Sequence, residues 1–332
     1  MLSPRRAGAL RPALDRFLAG FDAAARLAFD PVEMPRRYPD PGDAEVAGLL
    51  AASLAYGRAD LFKPRLEAVL RAMGPRPASF AGAFAEAPYP GAFASFRYRF
   101  NRPADVAALV AAVGFLRARH GSLGARFAAL LAEEGSRAGA RGEPLRRALA
   151  RFAAELREAP PVEALLRGRG RRGLKHLLPD AGGAGACKRW NLYLRWMVRG
   201  PDAVDLGLWP GVPRSALVVP LDTHLARIGR CLGLTRRRDL SWRTAEEITR
   251  SLRLLDPEDP VRYDFALCHL GMSGACPARR DPARCRDCPL LEVCLAGRVR
   301  AGRRRARPRA GRRHRPGRAA PAGSGSGRSR RW

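Results

Sequence analysis

The sequence predicts an all-α protein, and three observations predict it. Apolar residues recur every three or four positions over 9–29, 43–56, 60–73, 104–118, 123–134, 143–157, 187–199, 223–233, 243–254 and 260–270. Turn-forming stretches rich in Gly and Pro separate these segments, at 35–43, 74–80, 135–143, 167–173, 179–186 and 199–204. Strand signals are confined to Ser-Ala-Leu-Val-Val at 215–219. No fixed period repeats, so the helices are expected to build a globule rather than a solenoid. With 332 residues, 46% of them hydrophobic, the chain can bury a sizeable core.

Taken in order, the first segment has neither a sustained apolar run nor a cleavage-site pattern, and reads as mature protein rather than a signal peptide. Residues 45–73 pair an apolar helix with a second helix across the polar break Tyr56-Gly57-Arg58. The stretch Phe-Arg-Tyr-Arg-Phe-Asn-Arg at 96–102 interleaves aromatic rings with guanidinium groups, which suits nucleic acid and equally suits a structural loop. Residues 177–199, LLPDAGGAGACKRWNLYLRWMVR, read as an apolar helix end, a small-residue hairpin and a new helix. Small residues such as Gly183 and Gly185 let backbone N–H groups approach a phosphate, and a helix N-terminus favours the anion. Lys188, Arg189 and Arg195 are candidate phosphate contacts beside it. In VVPLDTHLARIGRCLGL (218–234), Asp222 stands where an N-cap belongs, before a helix with Leu225, Ile228 and Leu232 on one face.

The net charge of +30 points to a polyanionic partner. Fourteen arginines lie between Arg298 and Arg331, in a tail without Asp or Glu; removing them leaves about +16 (30 − 14) on the body. The tail is Arg, Gly, Pro, Ala and Ser almost throughout and is expected to be disordered, either gripping phosphates or serving no selected role. Nucleic acid is therefore the expected partner, ahead of an anionic membrane surface. No run of eighteen apolar residues occurs, so no membrane span is expected. The chain reads as cytoplasmic and nucleoid-associated, in a compartment where thiols stay reduced.

Four of the seven cysteines, Cys276, Cys285, Cys288 and Cys294, form the pattern C-x8-C-x2-C-x5-C. Structural zinc sites usually use two C-x2-C pairs, whereas this asymmetric set suits a cubane whose four irons each take one thiolate. An iron–sulfur cluster, a zinc ion and plain thiols are the three readings. Cys187, Cys231 and Cys268 stand alone in apolar or helical settings and are expected to be buried packing residues.

These segments together resemble the helix-hairpin-helix DNA glycosylase superfamily, and the cysteine pattern is similar to the terminal cluster of endonuclease III and its relatives. The likeness covers about residues 40–297. It implies a structural four-iron four-sulfur cluster on Cys276, Cys285, Cys288 and Cys294. It implies that Asp222, in the tetrad Leu-Asp-Thr-His, caps its helix and also carries chemistry, either stabilising positive charge at the sugar carbon or activating the nucleophile. Lys188 lies where bifunctional members carry a Schiff-base lysine, and DNA contacts are implied for Gly183, Gly185, Arg189, Asn191, Tyr56, Arg58 and His224. The hairpin run Gly-Gly-Ala-Gly-Ala is longer than the family's Leu-Pro-Gly-x-Gly, and Lys188 and Asp222 are 34 positions apart (222 − 188), about twice the usual interval. The intervening RGPDAVDLGLWPGVPRSA is expected to loop over the site or widen it. As a whole the chain looks still closer to a bacterial family of unknown function that shares GACKRWNLYLRWMVR and VPLDTH.

The expected architecture is a two-lobed helix-hairpin-helix glycosylase-like fold. Residues 1–42 supply a helix that packs with the cluster lobe, 43–204 a helical barrel with the hairpin, 205–297 the cluster lobe, and 298–332 the tail. Arg279, Arg280, Arg284 and Arg286 of the cluster loop are expected on phosphate. The expected function is a DNA base-excision repair glycosylase, with or without abasic-site lyase activity, acting as a monomer on a flipped-out damaged or mispaired base in double-stranded DNA. The alternatives are a non-catalytic binder of damaged or branched nucleic acid and an RNA-directed role.

Overall fold

Fifteen α-helices occur among the residues described by the computed structural model, which are 2–137, 143–277, 279 and 281–297. The first half holds α1 (Pro4–Ala19), α2 (Ala24–Leu27), α3 (Pro41–Leu54), α4 (Ala59–Met73), α5 (Pro77–Glu86), α6 (Pro103–His120) and α7 (Leu123–Arg137). The second half holds α8 (Pro144–Glu158), α9 (Pro160–Leu166), α10 (Arg172–Leu177), α11 (Lys188–Val198), α12 (Thr223–Leu232), α13 (Trp242–Arg253), α14 (Asp264–Met272) and α15 (Pro282–Arg286). The chain is thus all-α in class, and the two β-bridges among the described residues, Tyr98–Asn101 and Gly185–Ser241, are isolated. The segment 215–219 is no strand: it turns at Arg214–Ala216 and continues extended, with Val219 N–H donating to Thr249 Oγ1 at 3.1 Å. The tail expected to be disordered lies outside the described residues, as does Arg280.

Proline sets most of the helix starts. Pro4, Pro41, Pro77, Pro103, Pro144, Pro160 and Pro282 each open a helix, where a fixed φ is an advantage and the missing N–H costs nothing. This is why α5 went unseen where 74–80 read as a break, and α9 in the unassigned stretch before 167: Pro77 and Pro160 begin helices instead of ending them.

The core forms around α3 and α6, which are buried on nearly every face. Helix α5 crosses α6 at Gly114, where an added Cβ would fall 1.8 Å from the Ala81 carbonyl oxygen. Only glycine lets the two backbones approach so closely. Glu45 on α3 is buried and accepts from Leu123 N–H at 3.1 Å, Gly124 N–H at 2.9 Å, Trp209 Nε1 at 2.9 Å and the Arg117 guanidinium. One carboxylate thereby caps α7 and ties it to α3 and α6.

The stretch 199–217 does not loop over the site. Leu206 N–H donates to Trp196 O and Trp209 N–H to Met197 O, each at 2.8 Å, and Trp209 stacks on Phe127 at 5.8 Å. It packs against the C-terminal end of α11, roughly 15 Å of helix away from Lys188. Arg195, fully buried, joins this stretch to α14 through Asp205 and Asp264, each 3.0 Å away. Helix α1 meets residues far along the chain: Arg6 donates to Leu232 O at 3.3 Å and to Val293 O, and Tyr263 donates to Asp15 at 2.6 Å. No single helix among the described residues is long and apolar enough to cross a membrane.

Candidate active site

The loop between α10 and α11 is built to hold its shape with few side chains. The Asp180 carboxylate accepts from Gly182 N–H at 2.8 Å, closing a turn, and the Arg146 guanidinium clamps the carbonyls of Ala181 (2.9 Å), Gly182 (3.4 Å) and Gly183 (2.9 Å). Gly182, Gly183, Ala184 and Gly185 are exposed. Ala184 O accepts from Trp242 N–H at 3.2 Å, which ties the loop to α13. Cys187 then adopts a left-handed conformation, φ 48°, and Lys188 becomes the first residue of α11.

That turn delivers Lys188 to Asp222. Lys188 Nζ lies 3.3 Å from Asp222 Oδ2, while Asp222 Oδ1 accepts from Leu225 N–H at 2.8 Å and caps α12. Capping and pairing therefore use different oxygens of one carboxylate. Cys268 on α14 adds its Sγ 3.4 Å from Oδ2. Helix α14 reaches this position because Gly271 has no side chain: a Cβ there would fall 2.7 Å from His224 Cβ.

The electrostatics of the pair favour both charges. Burial pushes the Lys188 ammonium down, but Asp222, helped by Asp30, outweighs it and holds the group above its ordinary value. Lys188 keeps 39% of its side chain exposed, so water still solvates part of the ammonium. Burial pushes Asp222 up, and Lys188, the Leu225 N–H, Cys268 and His224 outweigh it, so its carboxyl sits below the usual range. Burial raises the Cys268 thiol well above its ordinary value, so it faces Asp222 as a neutral donor. His224 Nδ1 is buried and finds no hydrogen-bond partner among the described residues. Asp30 accepts from Val32 N–H at 3.0 Å and lies 3.6 Å from His269 Nε2.

The remaining site residues divide. Arg189 is turned inward: it donates to Ser53 O at 2.8 Å and to His176 O, and covers the Tyr56 ring at 5.4 Å. Burial lowers it to about 10. Asn191 is buried, with Nδ2 donating to Ala186 O at 3.1 Å, so it braces the hairpin from within. Tyr56 donates to Asn101 Oδ1 at 2.5 Å and packs against Tyr98 and His176, at 4.7 and 4.5 Å between ring centres. Burial, then Arg189 and Arg99, push His176 down to about 4, so that ring is neutral. Arg58 is exposed and paired with Asp60 at 2.7 Å.

The cysteine loop follows α14. Cys276, Cys285, Cys288 and Cys294 are all partly buried. Cys231 on α12, which the sequence presented as an isolated packing residue, lies within reach of the sulfurs of both Cys276 and Cys294, and its one S–H, shared between them, holds both thiols below their ordinary range; burial opposes this at both, Arg227 helps at Cys276, and backbone N–H groups of Gly297 and Ala296 help at Cys294. Gly297 N–H donates to Cys294 Sγ at 3.2 Å. Burial raises Cys288, against the N–H of Leu290. Donors aimed at sulfur favour thiolates, the form in which cysteine binds iron or zinc. The four thiols have the chemistry of a metal donor set, and among the described residues no three His, Cys, Asp or Glu side chains converge as a metal-holding group. Arg279, Arg284 and Arg286 are exposed around this loop, with Arg284 3.6 Å from Asp281.

Four contributors escaped the sequence: Cys268, Cys231, Asp30 and Arg146. Only the spacing of Cys268 and Gly271 on one helix face hinted at a packed contact; the others depend on chain crossings that no local pattern announces.

Residues 30–273 match the family described as "Protein of unknown function (DUF2400)". No curated protein and no solved structure matches the chain. The matched span runs from Asp30 through Lys188, Asp222 and Cys268, and ends before the cysteine loop. The chain belongs to the DUF2400 family.

Proposed function

We propose that this protein is a DNA glycosylase of base-excision repair with abasic-site lyase activity, on an endonuclease III-like helix-hairpin-helix fold. The observation that carries the reading is the meeting of an amine and a carboxylate, 3.3 Å apart, at the starts of α11 and α12, with an exposed small-residue hairpin leading into the first. The basic body, about +16 without its tail (30 − 14), supports a nucleic-acid substrate. The sequence likeness to the superfamily supports double-stranded DNA with one extruded nucleotide, an extrusion costing a few kcal/mol, least for a damaged or mispaired base.

In this mechanism Asp222 Oδ2 takes a proton from the Lys188 ammonium. The free amine attacks the sugar C1′, forming a C–N bond while the C1′–base bond breaks. Its electron pair leaves with the base, to which Asp222 returns the proton. An N–H proton of the new amine then passes to O4′ as the C1′–O4′ bond breaks, giving an open-chain imine; loss of the C2′ proton to water forms a C2′=C3′ bond while the C3′–O bond breaks and the 3′ phosphate leaves with its electron pair. Cys268, donating to the same oxygen, keeps Oδ2 turned toward Lys188. Cys276, Cys285, Cys288 and Cys294 would hold a four-iron four-sulfur cluster, with zinc the alternative, and the bound group would cross-link the loop without entering the chemistry.

A second reading, a non-catalytic binder of damaged or branched nucleic acid, is favoured by the direct contact that already satisfies both groups in the resting protein. Duplexes each bearing one damaged or mispaired base decide between the two. Base release that disappears in Asp222→Asn, with duplex binding retained, is the result expected of the glycosylase. Tight binding without release from any duplex belongs to the binder.

A further inference from the structure

Most body arginines that reach the interior are paired with carboxylates, as Arg126, Arg147, Arg151, Arg195 and Arg199 are. A different group is not. Arg97, Arg99, Arg102 and Arg169 line one open pocket of about 590 Å³, and none of them forms an ion pair among the described residues. Asp105, just behind the pocket, is buried and already accepts from Arg102 N–H at 2.8 Å. Pro103 and Ala104, the first turn of the long helix α6, complete the lining, so the positive end of its dipole adds to the guanidinium charge.

The loop that carries these groups is braced. Asn101 N–H donates to Tyr98 O at 3.0 Å, Asn101 Nδ2 to Gly173 O at 3.0 Å, and Arg99 takes the left-handed φ of 52° at the tip. Phe100 beside it is 49% exposed, with the Arg172 guanidinium 6.0 Å above its ring. Four exposed guanidinium groups around one pocket with no carboxylate among its lining repel one another, and an anion entering the pocket relieves that repulsion. The aromatic series Phe100, His176, Tyr56 connects the pocket to Arg189, the neighbour of Lys188.

We propose that this arginine-lined pocket binds a phosphate group of a nucleic-acid strand, at a site separate from Lys188 and Asp222. Planar guanidinium forks suit phosphate oxygens, and several of them converge on one volume here. The inference rests on the nucleic-acid reading above but not on the amine chemistry.

The test compares the full chain with its Arg99→Gln/Arg102→Gln/Arg169→Gln variant, which leaves Arg97 to hold the loop carbonyls of Ala94 and Phe96. Each is titrated with a labelled single-stranded oligonucleotide, with and without a 5′-phosphate, over a range of salt. The expected result is weaker binding and a logarithmic salt slope shallower by about 1 to 2. An Arg26→Gln/Arg65→Gln/Arg71→Gln control, altering exposed arginines elsewhere, should leave the slope nearly unchanged. Equal loss on both oligonucleotides assigns the pocket to an internal phosphodiester, and loss only on the phosphorylated one to a strand end. An unchanged slope in the pocket variant, or an equal fall in the control, overturns the proposal. Borohydride trapping on the same variant reads the Lys188 chemistry separately, so failure of either idea is recognisable.

Discussion

Lys188 Nζ and Asp222 Oδ2 stand 3.3 Å apart, although 34 positions (222 − 188) separate them in the chain. The pair stores the amine as an ammonium. Lys188 is raised, so its share of the pair's stability is complete below the ordinary lysine value of about 10.4 and is lost as pH rises through the folded value. Asp222 is lowered, so its share is present above about 3.9 and is lost as pH falls through its folded value. Between those limits the pair is closed.

Amine chemistry therefore should accelerate as pH rises toward the alkaline side. Removing the Asp222 charge leaves burial to act on Lys188 with less opposition. The alkaline limb of Schiff-base formation on a preformed abasic site is expected at lower pH in Asp222→Asn than in the parent. A limb at unchanged pH would show that Asp222 does not set the state of the amine.

The two duties of Asp222 separate by substitution. Asparagine still offers an oxygen to Leu225 N–H but ends the ion pair with the part-exposed Lys188, so Asp222→Asn should cost the pair's share, about 1 kcal/mol. Asp222→Ala loses the cap as well, at about 1 kcal/mol more. Thermal or urea unfolding of both variants measures the difference. Equal stability would mean that the cap contributes nothing.

Gly271→Ala attacks the site from behind. The new Cβ would meet His224 Cβ at 2.7 Å, closer than two such carbons approach, so α14 must shift. We expect a loss of about 1–3 kcal/mol in stability and a drop in site activity exceeding that of Cys268→Ser. Activity at the parent level would show that the site tolerates the shift of α14.

For the cysteine loop, Ser substitution of Cys276, Cys285, Cys288 or Cys294 should each lower iron and sulfide per chain in anaerobically purified protein, whereas Cys231→Ser should retain both. Zinc in place of iron would select the other metal. Metal lost from Cys231→Ser and kept in Cys285→Ser would put Cys231 in the ligand set.

The helices were largely legible because proline, capping residues and apolar spacing act locally. Helices α5 and α9 were not, since proline at a helix start looks the same in sequence as proline at a helix end. Asp222 could be read as a cap from its neighbours alone, and Lys188 as the head of a helix. Their contact could not, because it depends on how the 199–217 stretch folds back against α11. Arg189 and Asn191 looked like surface donors beside a phosphate loop, yet both face inward to satisfy carbonyls of Ser53, His176 and Ala186. A helical residue's side depends on what packs against it, and here α3 and the hairpin occupy that face.

The most direct test of the account is borohydride trapping on a duplex bearing one abasic site, with the parent protein beside Lys188→Gln. A covalent protein–DNA adduct in the parent, absent from Lys188→Gln while that variant still binds the duplex, is the predicted result. An adduct that persists in Lys188→Gln, or none in the parent despite intact binding, would contradict amine chemistry at Lys188.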